Sequence, residues 1–90
     1  MKSVASVKFI DKNNNLSFGL RWLDWEGEFD HFGKNLAMGY AKRMQVLNEI
    51  PESAVALQIL VGTTDGNGKF KIFVIRGIKT EDWAITERKV

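Results

Sequence analysis

The chain has 90 residues, about one domain's worth, and its 44% hydrophobic and 27% charged content is that of an ordinary globular protein. It has no cysteine, which excludes a disulfide framework, a thiolate nucleophile and a cysteine-based zinc site. A net charge of +2 is too mild to mark a dedicated nucleic-acid binder. The first residues lack the apolar core of a secretory signal, and no apolar run nears the ~20 residues of a membrane span, so a cytoplasmic protein without a membrane partner is expected.

Val4 to Ile10 is rich in β-branched and aromatic residues and predicts a first strand. Asp11-Lys12-Asn13-Asn14-Asn15 predicts a turn, because Asn and Asp tolerate left-handed backbone and bond their own main chain. Leu16, Phe18, Leu20 and Trp22 then alternate with Ser17, Gly19 and Arg21. This predicts a second strand with the apolar four, Trp22 included, turned inward, and Trp25 out of phase with them and open to solvent. From Asp30 to about Glu49 the period becomes helical: Phe32, Leu36, Tyr40, Met44 and Leu47 recur every three or four residues, widened by Ala37 and Ala41. Asp30 is the expected N-cap, and Pro51 sets the stop.

Val55, Leu57, Ile59 and Val61 form a third alternating row. Thr64-Asp65-Gly66-Asn67-Gly68 predicts a hairpin turn into a fourth strand carrying Phe70, Ile72 and Val74 and ending near Ile78. Thr80 to Val90 reads either as a short helix capped by Thr80 or as an irregular tail. The expected fold is α+β: one domain over residues 1–90, ββαββ, a four-stranded antiparallel sheet with one main helix on one face.

One helix covers one face of a sheet. The opposite rows hold Ala56 and Leu60 in the third strand and Phe73 and Ile75 in the fourth, and water alone should not cover so apolar a face. The C-terminal segment with Trp83, a second copy or another molecule must do so. A homodimer is expected, with Ala56, Leu60, Phe73 and Ile75 as the self-association residues.

The segment Trp22 to Phe32 reverses the charge of its surroundings. It holds four acids at every second position, Asp24, Glu26, Glu28 and Asp30, and no Lys or Arg. The rest of the chain has 13 basic and 7 acidic residues, a net +6. Carboxylates interleaved with large aromatics suit a contact surface for a protein partner with a basic surface: Asp24, Glu26 and Glu28 would meet the partner, while Trp25 and Phe29 anchor it. A metal site would need more nitrogen ligands than the lone His31 offers, and neither Asn/Asp-rich turn continues as a calcium loop. No metal or cofactor is expected. Without a phosphate loop, nucleophile elbow or triad-forming residues, no enzyme is expected either.

The leading function is therefore that of a small non-enzymatic binding protein, a regulator or inhibitor. Free-standing domains of this size are common among phage accessory proteins that block host machinery, an association of size rather than of residues. The alternative is nucleic-acid binding through Lys34, Lys42 and Arg43 on the helix with Lys69, Lys71 and Arg76 on the fourth strand. A structural subunit held by the apolar sheet face is the third class.

Overall fold

The computed structural model describes residues 2–16, 18–64 and 68–89. Residues 65–67, the centre of the expected hairpin turn, lie outside the described residues. Five strands and one helix follow in the order β1 (Lys2–Asp11), β2 (Phe18–Glu28), α1 (Lys34–Val46), β3 (Ala54–Thr63), β4 (Phe70–Arg76) and β5 (Ala84–Lys89). The strands make one antiparallel sheet in the order β2-β1-β3-β4-β5, with α1 packed on one face.

The sheet is thus five-stranded, which corrects the four-stranded ββαββ expectation. The fifth strand comes from the segment read as a helix or tail. Thr80 caps a turn there instead of a helix. Its amide and its hydroxyl donate to the Gly77 carbonyl at 2.9 and 3.0 Å, and its hydroxyl accepts from the Asp82 amide at 3.1 Å. Gly77 takes φ +78°, where a Cβ would collide with the Asp82 carbonyl. The chain reverses and lays Ile85 beside Ile75 on the outer edge of β4.

The β1–β2 turn forms as expected. The Asp11 carboxylate accepts the amides of Asn13 and Asn15 at 2.9 and 3.0 Å, and Asn14 is left-handed at φ 65°. The amide of Asn15 above all holds the Asp11 carboxyl below the ordinary carboxylate range; desolvation, next in size, opposes it, and the Asn13 amide adds to the lowering. The helix begins later than expected. Phe29–His31 forms a separate 3-10 turn, and Gly33, in extended backbone, is the N-cap in place of Asp30. At the other end Asn48 turns left-handed at φ 57°, and the helix ends at Val46, five residues before Pro51.

The core lies between α1 and the sheet. β1 contributes Ala5, Val7 and Phe9, β3 contributes Leu57, Ile59 and Val61, and β4 contributes Phe73 and Ile75. Ala37, Ala41 and Met44 meet them from the helix, where the two alanines let its backbone come close. Leu47, expected on this face, is largely exposed.

Two strands present the opposite face from the one expected. In β2, Leu23 and Trp25 pack against the core, while Leu20 and Trp22 are 61% and 70% exposed. In β4, Phe73 and Ile75 are fully buried under the helix, and Phe70, Ile72 and Val74 face away. Both strands carry large apolar residues in both alternating rows, so period alone does not choose between them. In β2 a bulge adds to this. Val4 pairs with Glu26 and Ser6 with Trp22, so Leu23, Asp24 and Trp25 together stand opposite Ala5 alone. Trp25 fits because Phe32 receives it edge-on, with ring centroids 4.9 Å apart. Phe32 in turn stacks on Tyr40 at 6.2 Å and touches Phe73 at 5.7 Å.

Candidate functional site: the open sheet face and its acidic edge

The face opposite α1 can be followed row by row. Trp22, Ser6, Leu60, Ile72 and Arg88 are successive cross-strand partners from β2 to β5. Beside them run Lys8, Gln58, Val74 and Thr86, then Ile10, Ala56, Arg76 and Ala84. On the other side lie Glu26, Val4, Gly62 and Phe70. The centre of the face is therefore mainly aliphatic, and Trp22 stands at its β2 side. A groove of about 290 Å³ runs between Leu16, Leu20 and Trp22 on one side and Lys8, Gln58 and Leu60 on the other.

Along the same β2 edge stand the expected carboxylates. Asp24, Glu26, Glu28 and Asp30 are all exposed. Arg43 of α1 donates to Asp24 at 3.2 Å, and Lys2 lies 3.6 Å from Glu26. These are solvent-exposed pairs, each worth about 0–1 kcal/mol, so they leave the acids available to a partner. The Tyr40 hydroxyl donates to the Asp24 carbonyl at 3.3 Å. Partial burial, and after it the Asp24 charge, raises the Tyr40 phenol above its ordinary value.

The two expected anchors sit differently. Trp25 packs inward on Phe32. Phe29 is half-buried beneath the ammonium of Lys71, 4.5 Å from its ring centroid. Of the proposed self-association residues, Ala56 and Leu60 stand in the rows opposite the helix, where Ala56 is buried and Leu60 exposed, whereas Phe73 and Ile75 belong to the core; Ile72 and Val74 are the β4 residues on that face. Sequence reasoning missed Trp22, Leu20, Ile72 and Val74 as surface residues. The available signal was the doubled apolar pattern of β2 and β4, which warned that one row in each had to be outside.

The six basic residues do not share one surface. Lys71 is only 6% exposed and faces the helix side, while Arg76 faces the open side. Arg43 is engaged by Asp24, and the Lys42 ammonium sits 3.8 Å over the Trp83 ring. Lys34 opens the helix and Lys69 precedes β4. Among the described residues no group of three or more His, Asp or Glu side chains could hold a metal ion, and no helix is long and apolar enough to cross a membrane. No family model, curated protein or solved structure matches the chain.

Proposed function

We propose that this is a small non-enzymatic binding protein that regulates or inhibits by protein–protein contact, through the open sheet face and the acidic β2 edge beside it. The observation that carries this reading is Trp22, 70% exposed, in line with Leu60 and Ile72 across the sheet. Exposed apolar side chains gathered on one face, here interspersed with Ser6, Lys8 and Gln58 and flanked by charge, are a common mark of an interaction surface. Covering what remains of the Trp22 ring would contribute about 3 kcal/mol by area. Trp22 replaces Trp25 as the anchor, and Asp24, Glu26 and Glu28 keep their role of meeting basic groups on the partner.

The placement of charge disfavours nucleic acid. A phosphate backbone crossing this face would meet the β2 carboxylates, and Lys71 is buried away from it.

The test is a photo-cross-linking aromatic residue placed at position 22 of the full chain in cells, with the same probe at position 46, exposed on α1, as the control. A protein adduct specific to position 22 is the expected result. Adducts to nucleic acid, or none, would overturn the reading. Titration of labelled random-sequence RNA and DNA in a salt series supplies the complementary measurement, with no tight salt-sensitive binding expected.

A further inference from the structure

We infer that the occupant of the open sheet face is a second copy of this chain, packed face to face about a two-fold axis parallel to β3, so that β2 of each copy lies over β5 of the other. The inference rests on the reading of this face as a protein-contact surface and names its partner.

An isologous interface has to be complementary to itself, and the charges across this sheet are arranged that way. Glu26 and Glu28 lie at the β2 side of the face, at register positions opposite Val4 and Lys2. Arg76 and Arg88 lie at the other side, on β4 and β5. Between them β3 offers Ala56, Gln58, Leu60 and Gly62, none of them charged, and β1 carries Lys8 beside Gln58. Rotation about an axis along β3 brings Arg88 of each copy over β2 of the other, one row from Glu26, twice, while Arg76 comes over Ile10. Rotation about an axis across the strands, through the Trp22–Arg88 row, would set Arg88 on Arg88. Charge therefore selects one of the two face-to-face arrangements.

The same operation matches the rows. Trp22 and Arg88 end one row that crosses all five strands, so the Arg88 guanidinium of the second copy meets the Trp22 ring, one row from Glu26. A planar guanidinium stacks on an indole and also reaches a neighbouring carboxylate. On the axis Leu60 meets Leu60. Gln58 meets Gln58, and each amide can donate to and accept from the other.

The size is sufficient. One row of five residues and three of four, with strands ~4.8 Å apart and rows two residues apart, give a footprint of about 550 Å² per copy, so ~1,100 Å² in total, near the ~1,000 Å² that a biological interface should clear. Two sheets so placed pack ~10 Å apart at a small angle, as the halves of a β-sandwich do.

The experiment is sedimentation equilibrium of the full chain from about 1 to 100 µM, with circular dichroism to confirm folding. The expected mass is twice the 10.2 kDa of the chain. Leu60→Asp and Trp22→Glu, at exposed positions, should remain folded and become monomeric. Glu26→Arg and Arg88→Glu should each weaken dimerisation about tenfold, and the double variant should restore it. A monomer at the highest concentration overturns the inference, as does a dimer that survives Leu60→Asp. Charge variants without effect overturn the β2-over-β5 arrangement. The two readings fail separately: a monomer whose position-22 probe still captures a different protein ends the dimer and keeps the contact surface, whereas a monomer with no adduct ends both.

Discussion

Phe73 and Trp22 mark the two extremes of side-chain environment in this protein. Phe73 is fully buried, against Phe32 and beneath the helix. Truncation to alanine should cost about 3–5 kcal/mol, a large fraction of the 5–15 kcal/mol that stabilises a typical domain, read as a fall in the urea midpoint. Trp22→Ala should leave the midpoint of the monomeric chain within about 0.5 kcal/mol of wild type, since its ring has little to lose. Gly77→Ala places a Cβ at φ +78° against the Asp82 carbonyl, and should destabilise by more than ~1 kcal/mol. Tyr40 is the single tyrosine of the chain, so its titration can be followed by absorbance without overlap. Its phenol is raised in the fold by burial and then by the Asp24 charge. The folded chain therefore holds this proton more tightly than the unfolded one. The stability tied to it is fully present below pH ~10 and is lost as pH rises through the folded value. Tyr40→Phe should flatten that alkaline limb of the stability curve.

At the scale of elements, the sequence speaks clearly where only one pattern fits. The first hairpin, the β3 row and the middle of α1 could be read because Asp11 to Asn15 has turn chemistry and because β3 and the helix each have one dominant apolar row. Leu16–Trp25 and Phe70–Ile75 misled for the opposite reason: two apolar rows compete, Leu23 and Trp25 forming the second one in β2, and tertiary packing chooses. The bulge at Leu23–Trp25 is invisible to a period-two reading, but alternation alone sets Trp22 and Trp25 on opposite faces, and packing of Trp25 on Phe32 decides which of them is inside. Strand β5 was illegible because Ala84 to Lys89 has one large apolar side chain, Ile85. Its conformation comes from the free edge of β4, not from its own propensity. Removal of residues 84–90 should accordingly do more than shorten a tail. It strips the Ile75–Ile85 pairing and bares β4, so loss of the cooperative thermal transition, with aggregation, is the expected result by differential scanning calorimetry and light scattering. Of the candidate site, the acidic edge was legible because charge needs no parity to be recognised. Its aromatic anchor was not, because parity decides that alone.

As a whole the molecule is two-layered. The helix and sheet enclose one core, and the other side of the sheet, with Trp22, Leu60 and Ile72, has no layer of its own among the described residues. Its charge is divided between the sides of that face: carboxylates along β2, and arginines on β4 and β5. The functional expectation shifts with the fold. In the proposed reading the acidic segment remains the contact region, and the anchoring role passes from Trp25 and Phe29 to the exposed row beside it.

The bulge in β2 has a consequence for how far assembly can go. β2 is an outermost strand, and a long regular edge invites another strand to add in the plane of the sheet, copy after copy. Here that edge is interrupted at Leu23–Trp25, where three residues stand opposite one, and the Asp24 carbonyl already receives the Tyr40 hydroxyl. An incoming strand would find neither a continuous ladder nor a vacant acceptor at its middle, and would set its backbone beside a line of carboxylates. Lateral growth into a fibre is thereby discouraged, so the proposed face-to-face pair would stay closed rather than extend into an endless ribbon.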